Sequence, residues 1–219
     1  MGVLCRAPRN GFYMDSDEIM RLDAMMAYER AAAGQGYRLV AGIDEVGRGP
    51  LAGPVVSAAV ILPERYYLEG LNDSKKLTAR ARDRLCLRIA QDAVAWGVGL
   101  CDSREIDEIN ILNATILSME RAVGAMGTQP DFLLIDAVSL KNMRMPQKSI
   151  IKGDALSISI AAASVIAKVT RDRMMAIYDS RYPGYNFVKH KGYGTREHMN
   201  KINELGMCPI HRATFCHIV

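Results

Sequence analysis

Apolar and small side chains dominate two neighbouring stretches, residues 37–46 and 55–62, and a Gly/Pro-rich turn separates them. Short apolar runs rich in β-branched residues and bounded by glycine or proline predict strands. With Pro63 closing the second run, the pair reads as a β-hairpin. Upstream, residues 1–14 are irregular, and 15–34 form a helical stretch that Asp15 and Glu18 open as a capping pair and Gly34 ends. Downstream, Thr78 caps a helix reaching Asp92, residues 93–101 supply a third strand, and 103–126 are helical with a break at Asn110. The apolar run 132–135 predicts an inner strand, Lys141, Arg144 and Lys148 mark a basic loop, and 149–151 form a short strand. Asp154 then opens a long helix towards Tyr182, and the Gly- and aromatic-rich residues 182–195 read as an exposed loop. Strands that first pair in succession and then alternate with helices predict an α/β domain, with a mixed central sheet and helices on both faces.

Length and composition narrow this picture. With 219 residues and 49% hydrophobic content, the chain is sized for one well-buried domain and is short for two. A formal charge of +4 admits an anionic partner without the concentrated basicity of a dedicated nucleic-acid binder. The five cysteines, Cys5, Cys86, Cys101, Cys208 and Cys216, are widely spaced and form no C-x-x-C pair, which predicts a reducing, cytoplasmic setting. The N-terminal residues carry no apolar signal-like core. The uncharged run 155–167 is shorter than the ~20 residues a membrane-spanning helix needs and reads as a buried helix.

The chemistry concentrates at the ends of apolar elements. Asp44 and Glu45 stand side by side where the first strand meets its glycine-rich turn, Asp136 ends the run 132–135, and Asp154 follows Lys152-Gly153. Adjacent carboxylates raise one another's pKa unless they are hydrated or share a cation, and hard divalent ions take oxygen ligands. Each acid has a plainer role as well: Asp154 as a helix cap, Asp136 as a turn residue. Successive strand side chains point to opposite faces, so Asp44 and Glu45 both reach one ion only if the backbone twists or ends there. Ser74 and Lys75 in Asp73-Ser74-Lys75-Lys76-Leu77 could hold a phosphate, although such a polar loop commonly precedes a helix. Lys168, Arg171 and Asp172 read as a solvated helix face that could meet a nucleic-acid backbone. Tyr193, between glycines and near basic residues, suits stacking on a sugar or base. Cys208, His211, Cys216 and His217 are metal-capable but match no usual zinc spacing.

Six blocks together resemble the signatures of ribonuclease HII, a type 2 ribonuclease H: residues 42–50, 73–77, 134–136, 152–154, 163–172 and 190–195. Their order matches the family over about 38–215, with residues 1–36 as an N-terminal extension carrying one helix and 37–219 as the catalytic domain. The resemblance implies a ribonuclease H-like fold with a C-terminal helical region, and catalytic, metal-binding roles for Asp44, Glu45, Asp136 and Asp154 with Mg²⁺ or Mn²⁺. It implies that RNA in RNA/DNA hybrids, and single ribonucleotides in duplex DNA, are cut on the 5′ side to leave 3′-hydroxyl and 5′-phosphate ends. Gly47, Arg48 and Gly49 would sense the 2′-hydroxyl, Tyr193 would stack near the following deoxyribose, and Ser74, Lys75 and Lys168 would contact substrate. A monomer without membrane attachment is expected. Aspartate at position 154 and the short N-terminal extension favour the HII branch over ribonuclease HIII. The competing readings are a non-catalytic nucleic-acid binder on the same scaffold, which would gain nothing from clustered acids, and a nuclease for RNA-free DNA, which would lack the Gly-Arg-Gly segment.

Overall fold

The computed structural model describes residues 14–216, so Cys5 and His217 lie outside it. Five strands form one sheet: β1 (Val40–Val46), β2 (Val55–Ile61), β3 (Ala95–Cys101), β4 (Phe132–Asp136) and β5 (Gln147–Ile150), in spatial order β3-β2-β1-β4-β5. β1 and β2 pair antiparallel from Ala41↔Ile61 to Val46↔Val56, which confirms the hairpin, and β3 extends it antiparallel. β4 lies parallel to β1, with Ile43 opposite Ile135, and β5 lies parallel to β4. The sheet is therefore mixed, as the element order predicted.

The helices are α1 (Ser16–Met25), α2 (Ala27–Gly34), α3 (Ala79–Asp92), α4 (Ser103–Gly124), α5 (Gly153–Leu156), α6 (Ile158–Arg181), α7 (Phe187–His190) and α8 (Arg196–Leu205). Strand alternation decides which covers which face. Ala41 and Ile43 of β1, Ala59 and Ile61 of β2, and Leu133 and Ile135 of β4 pack with Met119, Ala122 and Val123 of α4. Ala58 and Val60 face the other way, onto α3 and α6. Gly42 lies on that second face, where a Cβ would stand 2.1 Å from the Ser159 carbonyl carbon. Only glycine lets the start of α6 come that close to the sheet.

Several local expectations need correction. The stretch 15–34 is two helices that meet at Met26, and Asp15 makes no side-chain cap bond. Glu18 turns instead to Arg21 (2.7 Å), one turn along the same helix, and to the distant Gly70 N–H (2.8 Å), and these partners outcompete the local box. Asp154 does not open the long helix: it lies inside the single turn α5, and Ser157 caps α6 by accepting from the Ile160 N–H (3.3 Å). The loop 182–195 contains α7. The third strand begins at Ala95 rather than 93, and the fifth spans Gln147–Ile150 rather than 149–151. The break at Asn110 is present, with φ 65° and ψ 165°, and Thr78 caps α3 through the Ala81 N–H (3.2 Å).

Candidate active site

Parallel pairing of β1 and β4 sets Asp44 and Asp136 side by side, one residue beyond the Ile43↔Ile135 pair. Both lie at the C-terminal edge of their strands, where open α/β sheets bind ligands. Asp154 is brought to the same edge by a backbone link: the Gly153 N–H donates to Asp136 Oδ1 at 2.7 Å. Asp44 is buried and its Oδ1 accepts from the Glu45 N–H (2.8 Å). Glu45 stays within the paired strand, since the ladder runs on to Val46, and its carboxylate approaches Arg48 Nη1 at 3.8 Å. The strand therefore neither ends nor unpairs between the two acids, and alternation turns Asp44 towards α6 and Glu45 towards α4.

The electrostatics show how closely the acids feel one another. Burial, then Glu45, Asp136 and Asp154, pushes the Asp44 carboxyl well above its ordinary value. Glu45 is raised by burial and by Asp136, against the pull of Arg48 and Lys75. Asp154 is raised by burial and then by Asp73 and Asp136, while Lys75, with Nζ 3.5 Å away, opposes them. Burial works against the Lys75 ammonium, but Asp154, Asp44 and Asp73 outweigh it and hold it above the usual lysine range. Among the described residues no three His, Cys, Asp or Glu side chains stand in a metal-binding arrangement. The acids are instead occupied by the Gly153 N–H, Lys75 and Arg48. The donor set nonetheless fits a hard divalent cation: its protein ligands are all carboxylate oxygens, and their mutual repulsion is relieved by positive charge.

Beside the acids, the loop between β1 and β2 meets the segment after α7. The Leu51 N–H donates to the Gly192 carbonyl (2.8 Å), and a Cβ on Gly49 would lie 3.9 Å from Tyr193 Cε1. Gly47 adopts φ 99°, the left-handed region that favours glycine. Arg48 and Tyr193 are exposed. Two fully buried arginines hold this loop by its carbonyls. Arg171 donates to Pro54 (2.9 Å), Ala52 (3.1 Å) and Lys191 (2.9 Å), and Arg212 donates to Gly47 (2.5 Å), Arg48 (2.9 Å) and Gly53 (2.7 Å). With the carbonyls of Gly47 and Arg48 turned inward to Arg212, the exposed edge of the loop is left for a ligand.

A scan against family models matches ribonuclease HII over residues 41–218. The chain belongs to the ribonuclease HII family. It is 56% identical over 198 residues to the ribonuclease HII of Acetivibrio thermocellus, covering 90% of this chain and 77% of that one. Identity to the ribonuclease HII of Enterococcus faecalis is 57% over 194 residues, covering 89% of this chain and 76% of the relative. The crystal structure of ribonuclease H2 from Pyrococcus horikoshii superposes with a TM-score of 0.67 at 28% identity, covering 81% of this chain and 93% of that one. The fold is thus the ribonuclease H-like α/β fold, and the chain is a metal-dependent nuclease with ribonuclease H activity on RNA/DNA hybrids. No helix among the described residues is long and apolar enough to cross a membrane.

The remaining candidates from the ribonuclease HII signature blocks fare unequally. Ser74 is buried, with its N–H donated to Ser164 Oγ (3.3 Å), so it lies beneath the surface that Lys75 reaches. Lys168 is paired with Asp172 at 2.7 Å, and Arg82 joins the same aspartate at 3.8 Å. Burial lowers the Lys168 pKa against the pull of Asp172. Arg171 is not on a solvated face. Ser164, Ala167, Arg171 and Met175 are all buried on one helical stripe, a spacing that the charge of Arg171 masked in the sequence. Arg212 carries no such pattern and was missed. Cys208 and His211 form no metal site: His211 Nδ1 accepts from the Cys208 N–H (2.9 Å), and His211 Nε2 lies 3.0 Å from His198 Nε2.

Proposed function

We propose that the chain cuts 5′ of ribonucleotides, both along the RNA strand of hybrids and at single ribonucleotides embedded in duplex DNA. The observation that carries this reading is the acid cluster at the β1–β4 edge next to the loop where Gly49 faces Tyr193. Gly47, Arg48 and Gly49 read the 2′-hydroxyl, the group by which proteins distinguish RNA from DNA, and Tyr193 stacks against the next sugar. Asp44, Glu45, Asp136 and Asp154 hold Mg²⁺ or Mn²⁺. When bound, two such ions supply charge neutralisation and an activated water for phosphodiester hydrolysis.

The chain's own groups do the rest. Asp136 is oriented by the Gly153 N–H. Asp154, whose carboxyl burial raises above its ordinary value, would help position the attacking water or the second ion. Lys75, three-quarters exposed, is placed to move from Asp154 to a substrate phosphate. Hydrolysis joins the water oxygen to phosphorus and breaks the bond to the preceding 3′-oxygen, which takes a proton, leaving 3′-hydroxyl and 5′-phosphate ends.

The test is cleavage of duplex DNA containing one ribonucleotide, with an all-DNA control, in Mg²⁺, in Mn²⁺ and in chelator. A metal-dependent cut only on the 5′ side of the ribonucleotide is expected. Asp136→Asn should lower the rate by at least about a hundredfold while hybrid binding persists. Wild-type cleavage by that variant would remove Asp136 from the catalytic set, and tight binding without any cut by the native chain would leave a non-catalytic hybrid binder.

A further inference from the structure

One side chain of the two N-terminal helices hydrogen-bonds the start of α6 beside the catalytic edge. Glu29 of α2 places its Oε1 against the start of α6, where it accepts from Ser157 Oγ (2.6 Å), Ser159 Oγ (2.6 Å) and the Ser159 N–H (3.0 Å). Both serines are buried. The other oxygen, Oε2, is buried with no hydrogen-bond partner. Leaving a carboxylate oxygen unpaired is costly, and the free N–H groups and positive dipole end of the 24-residue α6 offset that cost. The carboxylate is therefore fixed through a single oxygen that gathers three donors.

From Ser157 the hydrogen bonds continue to the acids. The Ser157 N–H donates to the Gly153 carbonyl (2.8 Å), and the Gly153 N–H donates to Asp136 Oδ1 (2.7 Å). Asp154 is the next residue in the chain. The turn that carries it, α5, is only four residues long and follows Lys152 in the left-handed region. One helical turn has almost no stability of its own. Its placement depends on its surroundings, and hydrogen bonds grip both its ends: Asp136 at the start and Ser157, held by Glu29, at the finish.

We propose that Glu29 is a positioning residue: its hold on Ser157 and Ser159 places the Gly153–Leu156 turn and thereby orients the carboxyls of Asp154 and Asp136. The inference rests on the catalytic assignment of those two acids. It gives a part in the reaction to a helix that precedes the family-matched residues 41–218.

Five variants decide it, compared with the native chain on a one-ribonucleotide duplex in Mg²⁺. Glu29→Ala should lower kcat about tenfold with KM little changed, the usual size of effect for residues that orient a metal site. Amide hydrogen exchange at Gly153, followed without metal or substrate, should quicken. Glu29→Gln keeps an acceptor oxygen and should recover most of both losses. Leu22→Val thins the core under the same helices and should lower Tm while leaving kcat and Gly153 exchange intact at a temperature where every variant is folded. Native kcat and unchanged Gly153 exchange in Glu29→Ala would overturn the proposal, as would an equal kcat loss in Leu22→Val. If Glu29→Ala does not fold, Ser159→Ala carries the same readouts, and native values there overturn it equally. Asp136→Asn separates the two layers of the argument. If it cleaves at the native rate, the catalytic assignment fails; if it is inactive while Glu29→Ala is fully active, only the positioning role fails.

Discussion

Asp44 carries a heavy electrostatic burden. It is buried at the sheet edge, and its proton is held by burial and by three neighbouring acids, far above the ordinary value of 3.8. A carboxyl whose folded pKa is raised gives stability that is complete below the unfolded pKa and is lost as pH rises through the folded one. At neutral pH the metal-free protein has therefore given up part of its stability for the site. Asp44→Asn should remove that loss, raising stability at pH 7.5 in chelator by about 1 kcal/mol, ~2–4 °C in Tm for a chain of this size, while cleavage disappears. Near pH 4 the two proteins should melt alike. Thermal melts at both pH values check the sign, and an Asn variant less stable than the native chain at pH 7.5 would contradict it.

Elements matter here mainly through how loops are gripped. The turn between β1 and β2 has no regular structure of its own, yet Arg171 and Arg212 bind six carbonyls in and around it from α6 and the C-terminal segment. Burial, and then Arg171, lowers the Arg212 pKa to about 9, so the guanidinium still carries its charge at neutral pH. Lysine presents one compact ammonium in place of the planar fork and cannot reach the Gly47, Arg48 and Gly53 carbonyls together. Arg212→Lys should cost about 2–3 kcal/mol by leaving buried carbonyls unpaired. It should also narrow the preference for a one-ribonucleotide duplex over an all-RNA hybrid. Denaturant melts and paired cleavage assays measure the two effects, and unchanged selectivity would mean the loop keeps its shape without the clamp.

Across the whole molecule, the sheet and the α5 turn supply the acids, and a C-terminal layer carries the exposed Tyr193. That layer is organised by three buried histidines. His190 and His198 stack with ring centroids 4.3 Å apart, His198 Nε2 meets His211 Nε2 at 3.0 Å, and His198 Nδ1 bonds the Tyr193 carbonyl at 2.9 Å. Burial depresses His198 to about 4, with the Tyr193 carbonyl opposing. A lowered histidine pKa gives stability that is full above the ordinary value of 6.5 and declines as pH falls towards 4. Acidification from pH 7.5 to 5 should therefore lower Tm, and His198→Gln, which cannot titrate, should show a shallower decline from a lower starting point. Equal slopes for the two proteins would place the acid sensitivity elsewhere.

Much of this was written in local pattern. The hairpin, the inner strand at 132–135, the break at Asn110 and the cap at Thr78 follow from short-range periodicity, turn chemistry and side-chain capping, which act over a few residues. The four acids were also visible as candidates, since in the sequence each stands beside the boundary of an apolar run. Only the tertiary structure could decide what each local signal competes with. Glu18 was free to cap its own helix until Gly70 and Arg21 offered better partners, and Asp154 looked like the opener of α6 until Ser157 took that place. Arg171, Arg212 and Glu29 are ordinary charged residues in sequence, because the carbonyls and serines that make them necessary come from distant segments. The parallel pairing of β1 with β4 is likewise non-local, and it is what turns two separate strand ends into one site.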